Sequence, residues 1–117
     1  MPAKDIDPAL LPSRTLSVHE WQGAKPWRIW FFPDYSADSP FWGPSGLWPI
    51  EELPLSAELS ADIGAWNDYW ETNHHWERGW DASVDVLAWA THGRALCVRA
   101  QIELGPDYVL VYKISDA

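Results

Sequence analysis

A single cysteine, Cys97, leaves no partner for an internal disulfide and no thiolate set for a zinc site. Within an apolar helical stretch it reads as a small core residue. Bases are scarce too: 8 Lys and Arg stand against 17 Asp and Glu, a formal charge of −9. That balance opposes nucleic-acid binding and favours a basic or cationic partner. No apolar run approaches the roughly 20 residues needed to span a bilayer, so no membrane partner is expected. The opening residues MPAKDIDPALLPSR have neither a continuous apolar core nor a basic leader. Neither a signal peptide nor a lipidation signal is read there, and a cytoplasmic location is the expectation. Also missing are a G-x-S-x-G nucleophile elbow, a phosphate-cradling glycine motif and the i, i+4 histidine pair of H-E-x-x-H. The expectation is therefore a protein that is not an enzyme and holds no cofactor and no metal.

What the chain has in excess is tryptophan and acid. Ten tryptophans in 117 residues are more than a core of this size should hold, because each is large and carries an N–H that needs a partner or water. Some should therefore line a groove or the surface. The acids are concentrated: between positions 34 and 85 there are eleven, against one base, Arg78.

The length suits one domain. Three prolines in residues 1–13 mark a flexible N-terminal arm, and residues 14–117 are expected to form a single α+β domain. Residues 14–21, RTLSVHEW, alternate as a half-buried strand. In PWRIWFFPDY, Trp27, Ile29 and Phe31 alternate with Arg28, Trp30 and Phe32, so a second strand pairs with the first in a hairpin. Residues 36–54, rich in proline and glycine, read as an ordered loop tied down by Phe41, Trp42, Leu47, Trp48 and Ile50.

The organising stretch is residues 53–80. Leu55, Leu59, Ile63, Trp66 and Trp70 recur at spacings of 4, 4, 3 and 4, the apolar stripe of a long helix. Ser56 is its N-cap, Glu58 sits in the first turn, and the helix fades at 73–75. Gly64 costs about 1 kcal/mol relative to Ala: either another backbone passes close by, or the glycine is incidental. A second helix over 84–104, capped by Asp81 or Ser83, is stopped by Gly105-Pro106. It carries two apolar stripes, one with Val84, Leu87, Val98 and Ile102, the other with Trp89, Leu96, Cys97 and Ala100. Such a helix is expected between the sheet and another layer, or with one stripe as the seam of a homodimer. Residues 107–114, apolar on both faces, read as a strand in the middle of the sheet or against both helices. The assembled reading is β-β-α-α-β: a small antiparallel or mixed sheet of about three strands with two long helices packed on it. No internal repeat is read.

His74-His75 with Glu71 and Glu77 is the one cluster that resembles a metal site, but it reads better as a polar helix terminus. The stronger candidate is an acidic, tryptophan-bearing face formed by Glu51, Glu52, Glu58, Asp62, Tyr69, Trp76 and Trp80, whose charge would steer a basic protein partner. The alternative is a small-ligand or carbohydrate-binding module, with Trp42, Trp48, Trp76 and Trp80 as stacking platforms.

LPLSAEL, a helix carrying Trp66 and Tyr69, then HGRAL and ELGPDYVLVY together resemble a pattern of small acidic bacterial proteins, some of them similar to immunity proteins of polymorphic toxin systems. The resemblance covers residues 53–112. It implies a stoichiometric toxin inhibitor whose acidic face covers a basic site; it carries over no catalytic residues.

Overall fold

The computed structural model describes residues 24–114. The expected arm and the strand at 14–21 lie outside them. Strand β1, Trp27–Phe31, buries Trp27, Ile29 and Phe31 and turns Arg28 and Trp30 outward, the alternation its sequence shows. The loop expected at 36–54 is ordered, but it also supplies structure: β2, Phe41–Gly43, and β3, Gly46–Leu47, followed by a 3₁₀ turn at Ile50–Glu52. β2 runs antiparallel to β1, with Trp30 opposite Trp42 and Phe31 opposite Phe41. Its three residues fall between prolines, too few to register as an alternating pattern.

The segment is held by its own polar groups. Ser39 Oγ donates to Trp48 O at 2.7 Å and accepts from Phe41 N at 3.1 Å, so one buried hydroxyl closes the turn. Buried Asn67 donates Nδ2 to Ala37 O at 2.9 Å, fastening the same loop to the helix behind it.

Helix α1, Ala57–Asn73, buries Leu59, Ile63, Trp66, Asn67 and Trp70, the expected stripe together with one polar residue. Ser56 caps it by accepting from Leu59 N. Ser56 N and Oγ also donate to the two carboxylate oxygens of Glu103, at 2.7 and 2.9 Å. Gly64 is the incidental case of the two: nothing lies within 4 Å of a Cβ built there. With helix propensity as the only term left, Gly64→Ala should stabilise the fold by about 0.5–1 kcal/mol, seen as a higher urea midpoint at unchanged slope.

α1 leads into a small hairpin, β4 at His74–His75 paired with β5 at Gly79–Trp80. Helix α2, Val86–Leu104, follows; its cap is Asp85, which accepts from Ala88 N at 3.0 Å, in place of the expected Asp81 or Ser83. Its Trp89, Leu96, Cys97 and Ala100 are buried, whereas Leu87 and Ile102 are 68% and 75% exposed. The expected covering layer is therefore not found over the stripe of Leu87, Val98 and Ile102 among the described residues.

Strand β6, Tyr108–Tyr112, runs parallel to β1. The sheet order is β3-β2-β1-β6, so of the two expected positions β6 takes not the middle of the described sheet but its edge, packed against α2. Apolar content could not locate it, because α2 supplies the cover that a further strand would give. Gln101 of α2 donates Nε2 to Tyr108 O at 2.7 Å and accepts at Oε1 from Leu110 N at 2.8 Å, so a side-chain amide takes the place of a neighbouring strand. Gln101→Leu should cost about 1–2 kcal/mol and speed amide exchange at Leu110. The result is an α+β domain, two helices packed on a small mixed sheet of four strands.

Candidate functional site

The tryptophans answer their own puzzle first. Of those described, Trp27, Trp48, Trp66, Trp70 and Trp89 are buried, with Trp48 fully sealed at 0% exposure. Several belong to one aromatic column. Phe31 on the sheet stacks on Trp66 at 5.2 Å, and Trp66 lies nearly parallel over Trp89 at 4.4 Å and 8°. Trp80 meets Trp89 edge-on at 4.7 Å, His74 meets Trp80, and Trp70 stacks on His74 at 4.6 Å. Indole excess thus builds a core that climbs from the sheet to the surface. The carbohydrate reading loses a platform, because sealed Trp48 offers no face to a sugar.

Where the column surfaces between the helices there is an open groove of about 530 Å³. Asp62, Trp66 and Tyr69 line it from α1, and Asp85, Trp89 and His92 from α2, with Ala65 and Ala88 leaving the room. The helices run antiparallel, since Ser56 meets Glu103, Asp62 meets Arg99 and Trp66 meets Trp89. Trp66 Nε1 donates to the backbone carbonyl of Trp89 at 3.0 Å, which orients the Trp66 ring in the floor.

Of the seven expected face residues, Asp62 and Tyr69 line this groove. Glu58 stands one turn away on α1, and Arg99 of α2 reaches both acids, at 3.6 Å from Glu58 and 3.3 Å from Asp62. Trp80 is half-buried behind Trp89 and lines a smaller cleft of about 210 Å³ with Phe32, Trp70 and His74. Trp76, 78% exposed, is at the tip of the β4–β5 hairpin. Glu51 and Glu52 are exposed on the 3₁₀ turn before α1. A helix of 17 residues is about 25 Å long, so these two acids and Tyr69 stand near opposite ends of it.

Asp85, Trp89 and His92 were missed as site residues, although their pattern is legible. DIGAWNDY at 62–69 and DVLAWATH at 85–92 place Asp, Ala, Trp and a polar ring at the same spacing, offset by 23 residues. Both sets share one helical face through i, i+3 and i+4 spacing. The two copies form the groove's two walls.

The other chemical candidates are spent on structure. Burial pushes the Cys97 thiol up to about 11, leaving it protonated at neutral pH. His74 and His75, adjacent in a strand, serve different partners: His74 Nδ1 is hydrogen bonded to Tyr35 Oη at 2.6 Å, and His75 Nε2 to Asp81 at 2.9 Å. Burial, and then the neighbouring His75, hold the His74 pKa below its ordinary value. Among the described residues no group of three or more His, Cys, Asp or Glu could hold a metal ion, and no helix is long and apolar enough to cross a membrane.

The described residues form a small α+β scaffold with an acid-rimmed aromatic groove between its two helices. Residues 28–115 match the family described as Serratia CdiI immunity protein-like, and the chain belongs to that family. No curated protein matches the chain.

Proposed function

We propose that this protein is a non-enzymatic neutraliser of a toxin domain, acting in the cytoplasm by covering a basic site on it with the acidic face of α1 and the groove beside it. Membership of the immunity family over residues 28–115 supports the neutralising role. The charge of that surface supports the basic partner: Glu58, Asp62 and Asp85 are all exposed along the two helices. Trp76 at the hairpin tip and Tyr69 at the groove are exposed aromatic anchors of the kind that dominate protein interfaces.

The test is co-expression of the full chain with a toxin domain found in a neighbouring reading frame, which should restore growth and yield a 1:1 complex. Replacing Glu58 by Gln and Asp62 by Asn together should slow association roughly tenfold at low salt and flatten its salt dependence. Association that is indifferent to these charges and to salt would remove the acidic face from the proposal. The exposed apolar stripe of α2 favours a second, compatible reading, self-association through Leu87, Val98 and Ile102. Light scattering that reports a monomer across a wide concentration range would dismiss it.

A further inference from the structure

The doubled pattern places Asp62 and Asp85 on the two walls of the groove, toward opposite ends of the Trp66–Trp89 stack. The two ends are not equally satisfied. At the Asp62 end the protein supplies its own guanidinium: Arg99 Nη1 donates to Asp62 Oδ2 at 3.3 Å. Under the 23-residue offset, the residue that should serve Asp85 in the same way is at position 76. That position lies beyond the end of α1, in the hairpin turn, and is Trp76. Asp85 accepts from Ala88 N through Oδ1, and among the described residues no cation pairs with its carboxylate.

We infer that the Asp85 end of the groove receives an arginine side chain of the toxin partner, completing there the carboxylate–guanidinium pair that Arg99 makes at the other end. The inference rests on the neutralising role proposed above. Charge complementarity argues for a cation, and three features argue for arginine. A guanidinium is planar and can lie against the exposed phenol face of Tyr69 in the groove wall, where a compact ammonium gains less. It can also engage a carboxylate whose other oxygen is already occupied by a backbone N–H. Finally, the protein itself uses arginine at the equivalent position. The groove volume lies within the roughly 300–1,000 Å³ of ordinary ligand clefts, so a side chain and its flanking backbone have room.

The probe is the peptide acetyl-Gly-Arg-Gly-amide, titrated into the full chain while the indole N–H resonances of Trp66 and Trp89 are followed by NMR. The control is the same peptide with citrulline, an uncharged isostere of arginine. The arginine peptide should shift both resonances, the citrulline peptide neither. Asp85→Asn should weaken binding roughly tenfold, a loss of the size expected for one charge-assisted hydrogen bond. Asparagine caps a helix as well as aspartate, so that variant keeps its fold. Ala88→Arg, which places a guanidinium of the protein's own in the groove, should abolish the shifts without touching either acid. Equal binding of the two peptides, or no shift with either, overturns the inference. The toxin co-expression assay separates this from the wider proposal. If Asp85→Asn and Ala88→Arg both protect as well as the parent chain, the arginine site falls and neutralisation stands. If the peptide binds through Asp85 but the parent chain protects against no toxin, the neutralising role falls and the groove remains a guanidinium site.

Discussion

Gly93→Ala is expected to destabilise the protein by about 2–3 kcal/mol, although the same change in an exposed helix would stabilise it by about 1 kcal/mol. A Cβ at this position would sit 2.7 Å from Trp66 Cε2 and 2.7 Å from Tyr112 Oη. Neither neighbour can yield cheaply. The Trp66 ring is clamped between Phe31 and Trp89, and Tyr112 Oη donates to Ala90 O at 2.5 Å. Gly93 is therefore the point where α2 presses its backbone against the aromatic column, the close approach that sequence reasoning offered as one reading of Gly64. The contrast between the two glycines is the sharpest form of the test, because one substitution should lower the urea midpoint and the other raise it. Swapping Trp66 for the smaller Phe removes the indole atoms that the new methyl meets. The Gly93→Ala defect should then shrink in that background, a coupling measurable in a double-mutant cycle. Additive effects would show that the helix backbone relaxes instead.

Trp66→Ala should cost about 3–5 kcal/mol, a large part of the stability of a domain this size. The ring is 3% exposed. Its removal takes away the stack on Trp89, the stack on Phe31 and the hydrogen bond to Trp89 O. The void would open where sheet, α1 and α2 meet, so collapse from one side cannot fill it. Loss of near-UV circular dichroism together with the shift in urea midpoint would check the claim. A cost below about 1 kcal/mol would mean that Trp89 drops into the space. Because Trp66 is also the floor of the groove, the same variant should lose the binding surface even where it stays folded.

Both experiments bear on how much could be read in advance. The stripe from Leu59 to Trp70, the Ser56 cap, the Gly105 stop and the alternation of Trp27, Ile29 and Phe31 are local: each depends on the period of one element and the chemistry of its ends. All were legible, and they carry the α+β class with two helices on a sheet. The short strands at Phe41–Gly43 and Gly46–Leu47 were not, because two or three residues between prolines hold no period. Of the candidate face, Asp62 and Tyr69 fall in the groove, while Glu51 and Glu52 lie toward the other end of α1. Charge counted along a chain does not say which side of a molecule it reaches.

By itself, then, the sequence determined the two helices, the strands at 27–31 and 108–112 and the acidity, since these follow from spacing and side-chain type; the paired Asp-x-x-Ala-Trp pattern at 62–66 and 85–89 is also written in it, but gains meaning only once the helices are paired. Only the tertiary structure decided that the two copies face each other, that five of the described indoles close a core instead of forming a recognition surface, and that β6 ends the described sheet beside Gln101. Such outcomes depend on contacts between residues far apart in the chain. They are fixed by which faces find each other when the antiparallel helices bury their common stripe, and no window of sequence contains that choice.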